Sequence, residues 1–411
     1  MSNTERTLIL GAGQAGGQAA VSLRQFGYAG EIYLVGEETA PPYQRPPLSK
    51  AYLKGDLARE RLFIKPEAFY ADQDIAFQGD KRAEQIDPEQ KSVAFNDGST
   101  LDYTNLIIAT GSRPRPLPIK GADLTNVLDL RTLADVDALR PLVKEGTKAV
   151  IIGAGYIGLE AAAVMTSLGV DVTVLELADR VLARVTFPIM SEFYQKLHER
   201  HGVHFMLSTS LMEISGTGSV DGVILDDGEK LDADLVLVGI GILPNQELAD
   251  EAGIDCENGI MVNEDAMTSM PNVYAIGDCA HRPLVHYGRE GRLESVHNAI
   301  EQGKIAAAHI CGKPRPPVDV PWFWSDQYDT KLQIAGLSQG ADTVVTRGEP
   351  ESGHFAVFYF RDNALIAVDA MNSPPEFLTA KKLIATGAKV SPEEVEDLSV
   401  SMKDIMKRAT A

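Results

Sequence analysis

Only three of the 411 residues are cysteine, Cys256, Cys279 and Cys311, and none stands in a C-x-x-C or C-x-x-x-x-C spacing. That excludes a local redox disulfide and offers no zinc or iron–sulfur ligand set. Each cysteine reads as a small buried apolar residue. Positive charge is also short: 38 Lys and Arg against 58 Asp and Glu leave a formal net charge of −20. Nucleic acid and anionic membrane are thereby excluded as general partners, and an acidic protein partner needs a local basic patch. No apolar run reaches the ~20 residues of a membrane span. Met1–Arg6 lacks the form of a signal peptide, so the expected location is the cytoplasm. There is no low-complexity tract. What remains, 44% hydrophobic and 23% charged residues, suits a folded globular chain of two or three domains.

The residues that are present fall into two similar units. Leu8-Ile9-Leu10 reads as a buried parallel strand and runs straight into Gly11-Ala12-Gly13-Gln14-Ala15-Gly16, a full G-x-G-x-x-G. Ala19, Ala20, Leu23 and Phe26 follow at helical spacing, Gly27 suits the helix end, and Ile32–Val35 is the next strand, with Glu37 just past it. The first glycine serves the tight turn, the second lets backbone approach a pyrophosphate, and the third lets helix and strand pack closely. The helix N-terminus offers free N–H groups to the phosphates, and Glu37 is placed to accept from a ribose diol. Strand, glycines, helix, strand and acid in register are a strong signal where the glycines alone are weak.

The pattern recurs with Lys148–Ile152 as strand, Gly153-Ala154-Gly155-Tyr156-Ile157-Gly158 as fingerprint and Leu159–Leu168 as helix. Val172–Leu175 is the next strand, with Glu176 at its end. Two such sites in one chain predict two dinucleotides held face to face, an arrangement for passing a hydride from a nicotinamide to a flavin.

Between the units, Pro41–Lys50 reads as a stiff irregular segment, neither helix nor strand, holding Arg45 and Lys50 at fixed positions. Asn96-Asp97-Gly98 and Asp226-Asp227-Gly228 are hairpin turns. Leu106–Ala109 is a buried strand ending in Thr110-Gly111-Ser112, and residues 113–121 read as a linker. Leu235–Val238 enters Gly239-Ile240-Gly241, and Val273–Ile276 ends in Gly277-Asp278. A helix is expected from about Glu294 to Ile310. Residues 319–411 differ in character, with strand-like stretches at Leu332–Ala335, Thr343–Thr346, His354–Phe360 and Ala364–Ala370, then helical ones near 375–386 and 400–408.

On Gly11–Gly16, Pro46–Lys50, Ala109-Thr110-Gly111, Gly153–Glu160, Gly277-Asp278, Glu294–Gln302 and Pro321–Gln327, nearly the whole chain resembles the NADH-dependent ferredoxin reductases of bacterial oxygenase systems. Pro46–Lys50 and Trp324-Ser325-Asp326-Gln327 are the specific carriers, since the glycine motifs belong to the wider two-dinucleotide flavoprotein family. His297 departs from the proline of some relatives.

The resemblance implies an α/β fold with two Rossmann-like, glutathione reductase-like dinucleotide domains and a C-terminal α+β domain. The expected boundaries are 1–113 with 243–318 for FAD, 114–242 for NAD and 319–411 for the third domain. It implies FAD along Gly11, Gly13, Ala15, Gly16, Glu37, Arg45, Lys50, Ala83, Ala109, Thr110, Gly111, Arg131, Gly277, Asp278 and Val296, with Trp324 near the isoalloxazine. It implies NADH along Gly153, Gly155, Tyr156, Ile157, Gly158, Glu176, Arg184 and Gly241. Tyr156 is expected to move aside for the nicotinamide, and Lys50 to pair with Glu160 beside the flavin.

The cysteines that serve disulfide reductases and NADH peroxidases are missing from Pro41–Lys50, so the expected acceptor is an external [2Fe–2S] ferredoxin taking single electrons. That ferredoxin would dock near Trp324, helped by Lys313, Arg315, Lys381, Lys382 and Lys389. Glu176 favours NADH over NADPH, with Arg180 and Arg184 nearby as features that could relax the preference. A monomer or weak dimer is expected. The rival readings are an NADH oxidase that reduces oxygen directly and an NADH-sensing flavoprotein that acts through partner binding.

Overall fold

A computed structural model describes residues 5–409; Met1–Thr4, part of the amino-terminal stretch read above, and Thr410–Ala411 lie outside the described residues. The chain forms two compact units. One takes the segments up to Gln44, Arg59–Arg113 and Leu243–Phe323; the other takes Arg45–Ala58, Pro114–Ile242 and the chain from Trp324 onward.

The first unit is built on a parallel sheet in the order Val273–Ala275, Asn105–Ile108, Arg6–Leu10, Glu31–Val35, Ile75–Gln78. Its central strand is buried from Thr7 to Leu10 because both faces are covered: Ile9 packs into one core with Ala19, Leu23 and Ile305, and Leu8 and Leu10 pack into the other with Val93, Phe95 and Ile108. The helix Gln14–Gln25 follows the first glycine turn and shares its core with the helix Val296–Ile310. That second helix starts two residues later than expected, capped by Ser295, whose hydroxyl accepts from Asn298 N.

The second unit repeats the plan with the parallel order His204–Met206, Asp171–Leu175, Lys148–Ile152, Leu235–Val238, Val127–Leu128. Its glycine-turn helix runs Tyr156–Ser167, starting three residues earlier than the apolar periodicity placed it, because the helix opens directly after the N-cap Gly155 and takes in the fingerprint residues Tyr156-Ile157-Gly158. The carboxy-terminal part is an antiparallel sheet in the order Trp322–Gln327, Thr330–Gly336, Ala364–Met371, His354–Arg361, Thr343–Glu349, with the helices Pro374–Thr386 and Met402–Ala409.

Two expectations need correction. The proline segment is not irregular throughout: Pro46–Ser49 is a 3-10 turn and Ala51–Lys54 a short helix, since proline at the first helical positions sacrifices no hydrogen bond. Trp322–Gln327, noticed only as a motif, is a strand with period-two burial: Ser325 and Gln327 are buried, while Trp324 and Asp326 are partly exposed.

Candidate functional site

In the first unit the candidate residues gather at the carboxyl ends of the parallel strands, where open α/β sheets bind ligands. Arg6–Leu10 delivers the Gly11–Gly16 turn, Glu31–Val35 delivers Glu37, Asn105–Ile108 delivers Ala109-Thr110-Gly111, and Val273–Ala275 delivers Gly277-Asp278. Gly11 adopts φ +114°, and a Cβ there would lie 2.1 Å from the Ala109 carbonyl oxygen. A Cβ on Gly16 would lie 1.9 Å from Gly11 O, so this glycine lets the helix sit against the strand. Gly13 is different: a Cβ there meets nothing within 4 Å. It is also the helix N-cap, with no capping side chain and no acid in the first turn, so donors and space are both left for a pyrophosphate. The residues therefore fit FAD.

The surrounding contacts hold that cradle. Thr110 Oγ1 donates to Asn245 O at 2.7 Å, while Asn245 Nδ2 donates to Thr110 O at 2.9 Å. Ser112 Oγ donates to an Asp278 carboxylate oxygen at 2.9 Å. Gly277 N donates to the buried Gln302 Oε1 at 2.8 Å, a support the sequence reading did not single out, although Gln302 lies within a quoted motif. Glu37 is exposed just past its strand. Ala83 opens the ribbon strand Ala83–Asp87, and Val296 is the first residue of its helix.

The second unit carries the matching cradle. A Cβ on Gly158 would fall 2.4 Å from Gly153 O, whereas one on Gly155, the N-cap of Tyr156–Ser167, meets nothing within 4 Å. The residues fit a second dinucleotide by the same criteria. One Glu176 oxygen accepts from Ala154 N in the glycine turn at 2.8 Å, and the other from Ala178 N at 2.9 Å. This fixes its orientation and leaves lone pairs for a ribose diol. Arg180 is consumed internally, donating to Thr186 O, Ala183 O and Ser191 Oγ. The Arg184 guanidinium stands 3.3 Å from the Cβ position of Gly241. The Tyr156 hydroxyl is enclosed although the residue as a whole is partly exposed, and burial pushes it well above the usual phenol range. Ile157 is exposed.

Lys50 and Glu160 are brought together within this unit. Lys50 Nζ lies 2.6 Å from a Glu160 oxygen, with Glu160 only 4% exposed. Ser49 Oγ donates to the same oxygen at 2.5 Å and Ser325 Oγ to the other at 2.6 Å. The sequence reading missed both serines, though Ser325 was marked by its alternation with Trp324. Arg45 donates to Arg131 O, so these two candidates also meet.

The isolated cysteines are free and unsuited to thiolate chemistry: burial pushes the Cys256 thiol up to about 11, and it raises Cys279 and Cys311 as well. Arg315 does not offer free charge, because it pairs with Glu264 at 2.5 Å and Asp265 at 3.7 Å. Lys382 and Lys389 are exposed. Among the described residues no cluster of acids, histidines or cysteines could hold a metal, and no helix is long and apolar enough to cross a membrane.

Residues 5–303 match the pyridine nucleotide-disulphide oxidoreductase family, and 322–406 match the reductase C-terminal family. The chain is 44% identical over 397 residues to rhodocoxin reductase of Rhodococcus erythropolis, covering 96% of this chain and 93% of that one. It is 42% identical over 417 residues to putidaredoxin reductase of Pseudomonas putida, covering 100% and 99%. Among solved structures, the reductase in a covalent putidaredoxin reductase–putidaredoxin complex superposes with a TM-score of 0.97 at 41% identity, covering 100% of both chains. A ferredoxin reductase from Rhodopseudomonas palustris gives 0.94 at 42% identity, covering 98% and 100%.

Proposed function

Because the chain belongs to the pyridine nucleotide-disulphide oxidoreductase family, whose disulphide it lacks, we propose that it is an FAD-dependent NADH:ferredoxin reductase. The observation that carries the reading is that Tyr43–Lys50, the segment in which disulfide reductases carry their cysteine pair, holds no cysteine and has its Ser49 and Lys50 bound to Glu160, while the three thiols elsewhere are isolated and raised. Electrons then have no thiol to pass to and leave for an external carrier, as the names of its relatives indicate for those proteins. One NADH reduces two ferredoxins, releasing NAD⁺ and a proton. When bound, FAD supplies the conversion between hydride and single electrons.

The residues have distinct tasks. Gly13 and Gly155 give backbone access to the two pyrophosphates. Asp278 and Glu37 accept from FAD hydroxyls. Glu176 accepts from the NADH ribose and repels a 2′-phosphate, a preference strengthened by the internal engagement of Arg180. Tyr156 covers the nicotinamide pocket. Lys50 supplies positive charge to the reacting ring, and Glu160 orients Lys50. A cytoplasmic setting accords with the free thiols.

The test is anaerobic cytochrome c reduction by NADH with and without a [2Fe–2S] ferredoxin, repeated with NADPH. Ferredoxin-dependent reduction with NADH preferred is expected. Fast NADH consumption in air that no ferredoxin alters would reject the reading in favour of an oxidase.

A further inference from the structure

The Glu160 side chain is the end of a longer buried series lying wholly within the second unit. Ser325 Oγ donates to Glu160 at 2.6 Å, Gln327 Nε2 to Ser325 Oγ at 3.1 Å, and Gln327 Oε1 lies 2.7 Å from His198 Nε2. His198 Nδ1 lies 3.2 Å from the Tyr328 hydroxyl. Glu160, Ser325, Gln327 and His198 are each at most 4% exposed.

The direction of every bond follows from its first member. Paired with the Lys50 ammonium, the Glu160 carboxylate only accepts, so the Ser325 hydroxyl must donate to it. Ser325 then accepts, and the Gln327 amide nitrogen faces it. The Gln327 oxygen therefore faces His198, whose Nε2 must carry the proton, leaving Nδ1 to accept from Tyr328. Burial holds the imidazole down to about 4, in keeping with a neutral ring. An amide does not readily pass a proton along such a row, so the series polarises rather than conducts.

We propose that Ser325, Gln327 and His198 are positioning residues, a one-way row of donors that fixes the Glu160 carboxylate against Lys50 for the hydride-accepting step. The proposal rests on the role given above to the Lys50–Glu160 pair. It assigns the Trp324-Ser325-Asp326-Gln327 strand two separate faces, with Ser325 and Gln327 turned inward onto Glu160 and His198.

The holoenzyme carries the test. Ser325→Ala should bind FAD and NADH as the parent does, yet reduce its flavin about tenfold more slowly at saturating NADH, from the loss of a hydrogen bond to a charged group. Its flavin midpoint potential should fall, because the Glu160 charge is less well compensated. Ser325→Thr keeps the hydroxyl and should recover most of both. Should Ser325→Ala lose FAD, Gln327→Met, which removes the donor behind Ser325, should show the same two changes in smaller size. Parent-like rate and potential in FAD-loaded Ser325→Ala, or in Gln327→Met, would overturn the proposal while Glu160→Gln still slows reduction. A Glu160→Gln enzyme with parental rate and potential would overturn the role of the pair and the row with it.

Discussion

A carboxylate that is 4% exposed has lost most of its water, and Glu160 replaces it with one ammonium and two hydroxyls. Removing the ammonium leaves a buried acid without its cation, the costly way to break such a pair. Lys50→Met should therefore slow anaerobic flavin reduction at least tenfold and lower the flavin potential, read by stopped flow and by dye-equilibrated titration. A second buried acid, Asp369, accepts from Thr186 Oγ1 and the Tyr359 hydroxyl, both at 2.7 Å, and burial raises it to about 6. Here the native state keeps a proton that the unfolded chain has lost. Its stabilising contribution is complete below about pH 4 and is lost as pH rises through about 6. Asp369→Asn should gain stability relative to the parent across that window, by about 3 kcal/mol at most, in urea unfolding at a series of pH values. A stability difference that stays flat with pH would show that Asp369 titrates normally.

At the scale of elements, the two glycine turns separate what folds the chain from what binds its ligands. Gly16→Ala places a Cβ 1.9 Å from Gly11 O, and such overpacking should cost about 3 kcal/mol or more. Gly13→Ala and Gly155→Ala meet open space on ordinary extended backbone, so the thermal midpoint of the apoprotein should barely move. The expected loss is selective: weaker FAD retention for Gly13→Ala, and a raised KM for NADH with FAD retained for Gly155→Ala. Calorimetry of the apoprotein beside flavin absorbance and initial rates distinguishes these outcomes. If Gly155→Ala bound NADH as the parent does, the second turn would not be the nicotinamide cofactor's pyrophosphate site.

Over the whole molecule, a net charge of −20 opposes encounter with an acidic ferredoxin, so association depends on local cations. Arg315 is spent on Glu264 and Asp265, which leaves the exposed Lys382 and Lys389 as better candidates. Lys382→Glu should raise the KM for ferredoxin about threefold to tenfold at low salt, with the gap narrowing as salt is added, while NADH reduces the flavin at the parental rate. The sequence by itself determined the paired strand–glycine–helix units, because strand burial, turn glycines and helical periodicity are local: Lys148–Ile152 and Leu235–Val238 carry the expected bounds. It also determined the absence of a redox cysteine pair, and so the need for an external acceptor. Only the tertiary structure decided what surrounds Glu160. Ser49 and Ser325 reach it across 111 and 165 residues of chain, and His198 meets Gln327 across 129, separations over which no periodicity carries information. It likewise decided that Arg315 is engaged by Glu264 and Asp265, about fifty residues earlier in the chain, since such partners are fixed by packing and not by neighbours in sequence.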